Sequence, residues 1–499
     1  MNINYNVNEL LNYALSKNLI EKEDTAYAVS SLLEILSLSD FERVEVENER
    51  ELHKILSDIC DYAFEAGLIE GDGVVYRDLF DTKIMGALVE RPSGVIKKFY
   101  TLLSESPRAA TDYLYRLSID SNYIREDRIK RDLKWIYASE YGDIDITVNL
   151  SKPEKDPVAI AKAKFLKSTD FPKCALCHEN EGFAGSLNKP ARQNLRQIPF
   201  DMAGDEWFLQ YSPYVYYNEH CIALSGRHTP MKVDKNTVLK ILGFIEKFPH
   251  YFIGSNAGLP VVGGSILAHD HMQGGRYTFA MERAKCDTPL HFRGFEDVYA
   301  EKPSWPMAVI RIRHKSKERV FELASKIFET WENYSDEEVG IYAYTENEPH
   351  NAITPIGRRR GEEYELDLAL RNNLTTEEYP LGVFHPHKEH HNIKKENIGL
   401  IEVMGLAVLP SRLKAEIEDM KSCILSGSDF DSLESTKKHK DWFLKFKDNY
   451  SFTEENTDEI LKKEIGKTFV RVLEDASVYK NDERGKRAFM KFIDCVNEI

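Results

Sequence analysis

The sequence predicts an α+β chain in four parts. A helical N-terminal domain spans 1–150. Two related repeats with mixed or antiparallel sheets span 151–300 and 301–430. A helical extension spans 431–499. Three observations predict this order. Apolar residues recur at helical spacing through the first part. The character changes to short strands and motif-bearing loops after the Pro- and Lys-rich stretch Ser151-Lys152-Pro153-Glu154-Lys155-Asp156-Pro157. The order strand, helix, strand, strand then occurs twice, each time with histidines clustered at its end.

In the first part, Glu21–Leu36 places Ala26, Val29, Leu33 and Leu36 on one helical face, and Arg50–Ala63 repeats the pattern. Pro92-Ser93-Gly94 and Ser106-Pro107 break the run into separate helices. No chemical motif falls here, so a scaffold or docking role is expected. His53 and Cys60 read as packing residues.

The first repeat opens on Phe171-Pro172-Lys173-Cys174-Ala175-Leu176-Cys177-His178. Cys-x-x-Cys lets two thiolates meet one metal from a tight knuckle. The same spacing serves a redox pair, but that form opens a helix, and here a Gly/Asn-rich loop follows. Trp207–Tyr217 is aromatic and strand-like, and it runs on to His220 and His228. An aromatic wall for a base or sugar ring and a buried edge strand are its two readings. Val238–Phe248 is an amphipathic helix. The strand Tyr251-Phe252-Ile253, the loop Gly254–Gly258 and the stretch Gly263–Gly275 complete the repeat.

That last stretch organises the chain. It reads Gly-Gly-Ser-Ile-Leu-Ala-His-Asp-His-Met-Gln-Gly-Gly. On a strand, His269, His271 and Gln273 face one side. One imidazole can hold a metal or orient the other, the second can act as nucleophile or base, and the amide can donate to an anionic oxygen.

The second repeat mirrors the first. Ala308–Ile312 is a strand, Lys317–Tyr334 a helix, Gly340–Tyr344 a strand, and Tyr364–Arg371 alternates clearly. Phe384–His391 carries four histidines, with no cysteine or clear carboxylate beside them to complete a metal site. Arg358-Arg359-Arg360 reads equally as a solvated hairpin and as a sugar-phosphate clamp. Thr457–Glu474 and Glu483–Val496 are charged helices of the tail.

Composition bounds the function. At 499 residues the chain holds two to four domains. A net charge of -16 argues against general nucleic-acid or anionic-membrane binding, so an anionic substrate needs a local basic pocket. No apolar run is long enough to span a bilayer, and the N-terminus lacks the pattern of a signal peptide. Seven cysteines in so long a chain fit a reducing cytoplasm, with thiols free or on metal.

The run Ser212-Pro213-Tyr214-Val215-Tyr216-Tyr217-Asn218-Glu219-His220, then His228, a helix, an Asn-Gly loop and a His-x-His strand resembles the histidine-triad superfamily. Within it, the upstream Cys-x-x-Cys and Gln273 in place of the last triad histidine resemble the galactose-1-phosphate uridylyltransferases. The long helical N-terminal part and Asp270 between the histidines resemble their second, bacterial class.

The resemblance implies two histidine-triad-like repeats and a ping-pong transfer of UMP from UDP-glucose to galactose 1-phosphate. His271 would be the nucleophile, and Gln273 would hydrogen-bond the phosphoryl oxygens of the intermediate. Cys174, Cys177, His228 and His269 would hold a structural zinc. Asn256 and Ser265 would lie on the nucleotide phosphates. Ser265 stands six residues before His271, where the better-known class has five. Arg192 and Arg196 are phosphate contacts or ordinary surface arginines. Lys395 and Glu402 match the segment that holds hexose and phosphate, with Glu402 offset by one. The expected partners are UDP-hexose and hexose 1-phosphate, with no nucleic acid and no membrane, and a homodimer is the candidate assembly. Two alternatives stay open: a histidine-triad nucleotide hydrolase or phosphorylase, and a non-catalytic zinc-stabilised nucleotide-binding protein.

Overall fold

The computed structural model describes residues 2–46, 50–150, 170–264 and 266–498. The linker Ser151–Pro157 and the candidate phosphate residue Ser265 lie outside them. The chain is α+β with antiparallel sheets and divides into two compact units.

The first unit takes Met1–Arg131, the described part of Ser151–Val215, and Glu219–Thr229. Its helices are Ile3–Ser16, Thr25–Leu36, Leu52–Glu65, Val74–Gly86, Pro92–Glu105 and Pro107–Asp120, with one turn at Glu126–Ile129. Their ends follow local chemistry. Asn2 accepts from the Asn4 and Tyr5 amides ahead of the first helix. The Ser106 hydroxyl caps the Ala109 amide, and Pro107 at the first helical position needs no hydrogen-bond partner for its nitrogen. The buried face of Thr25–Leu36 is Ala28, Leu32 and Leu36. It is rotated from the stripe expected around Ala26, which is exposed. An (i, i+4, i+8) row packs here in place of the row that begins at Ala26.

Three antiparallel strands follow: Ile198–Met202, Asp205–Tyr211 and Cys221–Ser225. Trp207, Leu209 and Tyr211 alternate inward, and the Tyr211 hydroxyl donates to the Thr111 carbonyl at 2.9 Å. The strand stops at Tyr211, so Tyr214, Tyr216 and Tyr217 sit in turns.

The second unit holds Asp132–Leu150, Tyr216–Asn218 and Pro230–Ile499. The helical reading of 1–150 fails at its end. Leu133–Ser139 and Gly142–Val148 form an antiparallel hairpin, and Leu406–Leu409 adds to it in parallel. Alternating charged and apolar residues such as Lys134-Trp135 and Asp143-Ile144-Asp145-Ile146 suit a strand with one buried face. The charge-rich run before them obscured that period.

Seven further strands lie side by side in this unit. Their order is His271–Gly275, Phe252–Gly254, Asn351–Arg360, Glu363–Asn372, Val309–His314, Tyr299–Pro303, Cys286–Pro289. The named pairs along this row are antiparallel. The helices Lys235–Lys247 and Lys317–Asn333 pack on it. Gly357 is required where a helix crosses, because a Cβ there would come within 2.2 Å of the Ile241 side chain. The helices Arg412–Ser426 and Thr457–Asp475 add Leu413, Met420, Phe469 and Leu473 to the core that holds Trp305.

Arg358 is buried and Arg360 exposed at the hairpin end, and both are committed to carboxylates of the neighbouring strand. Arg358 donates to Glu365 and Asp367, both at 2.7 Å. Arg311 donates to the other side of Asp367 at 2.6 Å, and Arg360 holds Glu365 at 2.7 Å. Desolvation would raise the Asp367 carboxyl, but Arg311 and Arg358 outweigh it and hold it at about 2. Its contribution to stability is therefore present above the ordinary carboxylate range and is lost as pH falls towards 2. Asp367→Asn leaves two buried guanidinium groups short of a counter-charge. The expected cost is about 3–5 kcal/mol at pH 7, read as a lower denaturant midpoint at constant m-value. An unchanged midpoint would contradict this.

Candidate functional site

The strand His271–Gly275 is held from one side by Phe252–Gly254, with Gly254 opposite Gln273 and Ile253 opposite Gly274. The Tyr217 hydroxyl donates to the Gly274 carbonyl at 3.1 Å. His269 precedes the strand, so the alternation argument holds for His271 and Gln273 only.

His271 is 7% exposed, and its Nδ1 lies 2.8 Å from the His269 carbonyl oxygen. A carbonyl can only accept, so Nδ1 carries the hydrogen and Nε2 keeps its lone pair. Burial lowers the pKa of His271; the bond to the His269 carbonyl opposes this in part. The ring is neutral at pH 7, with one nitrogen fixed and the other free to attack.

Asn256 is 5% exposed and sits in the loop after Phe252–Gly254. Its Oδ1 accepts the Leu400 amide at 2.8 Å. That bond sets the amide, because Oδ1 is committed and Nδ2 is left as donor. Gly264 lies against Nδ2, and a Cβ there would come to 2.7 Å of it. A Cβ on Gly263 would come to 2.3 Å of the Ala257 carbonyl. The glycine pair therefore lets the approach to the histidines pack directly on the Asn256 loop.

In the first unit, Cys174 and Cys177 form a knuckle. The Cys177 amide donates to the Cys174 carbonyl at 3.3 Å, and the Leu176 amide points to the Cys174 sulfur at 3.4 Å. The Asn180 side chain donates to both cysteine carbonyls, at 2.8 and 2.7 Å. The two sulfurs are 3.6 Å apart, too far for a disulfide. Two thiolates about 2.3 Å from one tetrahedral ion stand about 3.8 Å apart, so the spacing fits a shared metal. His228 Nδ1 is 3.2 Å from the Cys177 sulfur. Burial pushes the Cys177 thiol up to about 11, against a backbone hydrogen bond at Cys174 that lowers it, a cost that a bound cation would remove. Among the described residues of this unit, Cys174, Cys177 and His228 belong to a group of side chains that could hold a metal ion.

The remaining candidates separate. Arg192 lines a cavity of about 220 Å³ with Asn188, Pro213 and Tyr214. Its guanidinium lies 5.5 Å from the Tyr123 ring centroid. Arg196 is buried and spends its N–H groups on the carbonyls of Glu90, Val89, Gln193 and Leu195. That geometry makes it a strut between its own loop and the connection that joins the helices Val74–Gly86 and Pro92–Glu105. Lys395 is exposed. The adjacent Lys394 is buried and pairs with Glu402 at 2.7 Å. Glu402 also accepts the Gly399 amide at 3.0 Å.

Sequence reasoning missed Lys394 because two consecutive lysines carry no sign of which one turns inward. It also found no carboxylate for the histidine cluster. Asp475, at the end of Thr457–Asp475, stands 3.3 Å from His387 and 3.7 Å from His390. It lies 85 or more residues along the chain, and no local spacing could reveal it.

The seven-strand row, its buried tautomer-fixed histidine and the Cys/His cluster define an α+β protein with a neutral imidazole on its sheet. Residues 20–230 match the family model described as galactose-1-phosphate uridyl transferase, N-terminal domain, and residues 244–444 match its C-terminal domain. A protein of Clostridium acetobutylicum named galactose-1-phosphate uridylyltransferase is 54% identical over 99% of this chain and 100% of its own. Namesakes from Fusobacterium nucleatum and Bacillus subtilis are each 48% identical. They cover 98% and 99% of this chain and 98% of their own lengths. The chain belongs to the galactose-1-phosphate uridylyltransferase family.

Proposed function

We propose that this protein transfers UMP from UDP-glucose to galactose 1-phosphate through a uridylyl group carried on His271. The observation that carries the reading is the His271 ring, whose Nδ1–H is held by the His269 carbonyl while burial keeps it neutral. Relatives alike over the whole chain and bearing the transferase name support it.

The Nε2 lone pair attacks the α-phosphorus of UDP-glucose. The bond to the β-phosphate oxygen breaks, and glucose 1-phosphate leaves with that electron pair. Positive charge then spreads to Nδ1–H, where the His269 carbonyl stabilises it. An oxygen of the galactose 1-phosphate phosphate next attacks the phosphorus, the N–P bond breaks, and neutral imidazole returns. Gln273 donates to the phosphoryl oxygens, where charge grows in each transition state. The Asn256 Nδ2 donates to a phosphate oxygen of the bound nucleotide. Zinc is the metal we infer on Cys174, Cys177, His228 and His269, because two thiolates and two imidazoles are its usual set. With four protein ligands zinc would have a structural role, and a metal-held His269 would keep in place the backbone carbonyl that orients His271.

In this reading glucose 1-phosphate leaves before the acceptor enters. Labelled glucose 1-phosphate should therefore exchange into UDP-glucose with galactose 1-phosphate absent. Net transfer without that exchange would rule the covalent route out. A hydrolase would instead accumulate UMP.

The pH dependence has a definite sign. The nucleophile must be unprotonated, and burial lowers the pKa of His271. The acid limb of kcat for glucose 1-phosphate exchange should lie below the ordinary imidazole value of about 6.5. Activity stays level as pH falls through 6.5 and declines only beneath it. A limb at or above 6.5 would contradict the buried neutral ring.

A further inference from the structure

Arg371 stands near the end of the strand Glu363–Asn372 and is 1% exposed. Its Nη2 donates to the Ile398 carbonyl at 2.9 Å. Among the described residues, its Nε and Nη1 have no hydrogen-bond partner. Arg311 and Arg358, in the same row of strands, are also buried, but each meets Asp367 at 2.7 Å or less. Burial pulls the Arg371 guanidinium down to about 10, and Glu402 opposes this only at a distance. A buried cation with donors to spare lowers stability, and folding alone favours an apolar side chain of that length.

The segment that Arg371 grips leads straight to the site. Gly399 donates to Glu402 and Leu400 donates to Asn256 Oδ1. On the other side of Ile398, the Asn397 Nδ2 lies 3.5 Å from the Gly263 carbonyl, and its Oδ1 lies 3.1 Å from His385 Nε2. The Ile398 carbonyl is thus one residue from the Gly263 contact and two from the bond that orients the Asn256 amide.

We propose that Arg371 is a positioning residue for the transfer: by holding the Ile398 carbonyl it sets the Leu400 N–H, which turns Asn256 so that its Nδ2 meets the substrate phosphate. This rests on the role given to Asn256 under the proposed function. Residues 301–430 then contribute to the transfer through Arg371. A guanidinium suits the task, being long, planar and charged at every working pH.

The test is a double-mutant cycle of Arg371→Met and Asn256→Ala, read by kcat/KM and by the denaturant midpoint. Arg371→Met should lower kcat/KM by about 10–100-fold, with the midpoint unchanged or raised. In the Asn256→Ala background it should cost little more. Additive losses would overturn the relay, as would a lowered midpoint with kcat/KM intact. If the methionine variant is insoluble, the same cycle with Arg371→Lys decides, since coupling upholds the proposal and additivity overturns it. Full activity in Asn256→Ala would overturn the role of Asn256 itself, whatever Arg371→Met does.

Discussion

His271→Asn abolishes both glucose 1-phosphate exchange and net transfer, with an expected loss on the order of 10⁴–10⁶-fold, the range seen when a nucleophile is removed from an intact site. The substitution keeps a polar group near the His269 carbonyl but supplies no nitrogen lone pair able to form the adduct. Both half-reactions pass through that nitrogen, so they fall together. Gln273→Ala offers the contrast. It leaves the nucleophile in place and removes one donor, so both halves slow by roughly 10²–10³-fold. A His271→Asn enzyme that retained a few per cent of wild-type exchange would assign the nucleophile elsewhere. Because His271 sits buried on a short strand, the midpoint of unfolding is measured beside the rates.

Cys174→Ser combined with Cys177→Ser removes the metal and softens the first unit. Wild type should carry about one zinc per chain, and the double variant none. The reason is chemical: thiolates bind this ion far better than hydroxyl groups. If free zinc stands 1,000-fold above its dissociation constant, binding adds about 4 kcal/mol to the folded state. For a unit of roughly 200 residues that is a fall of roughly 8–16 °C in Tm. The backbone of the knuckle is held by Asn180, which donates to the carbonyls of residues 174 and 177 and is kept in the double variant, so backbone disorder does not explain the loss. Equal zinc content in variant and wild type would remove these cysteines from the ligand set.

Much of the centre was legible in the sequence because its signals are local. His-x-His-x-Gln, the flanking glycines and Cys-x-x-Cys each occupy a handful of consecutive residues. That a nucleophilic imidazole needs one nitrogen bound to a carbonyl follows from imidazole chemistry, and the His269 carbonyl lies 2.8 Å from Nδ1 of His271. What escaped depends on residues far apart in the chain. Arg358 read equally as part of a solvated hairpin and as part of a sugar-phosphate clamp, and strand pairing instead set it opposite Glu365. Asp475 reaches the histidine cluster from the tail, and Leu400 sets Asn256 from 144 residues away. The hairpin Leu133–Val148 was misread because its alternation follows directly on a charged helical run. Burial also decided between neighbours that composition treats alike: Lys394 turns inward and Lys395 outward.

The most direct test of the covalent reading is the mass of the intact protein after incubation with UDP-glucose and no acceptor, followed by peptide mapping at mildly alkaline pH. The account predicts one added uridylyl group per chain, mapped to His271, lost on adding galactose 1-phosphate and absent in His271→Asn. An unmodified mass in enzyme that still transfers UMP rapidly, or an adduct on any residue other than His271, would contradict it.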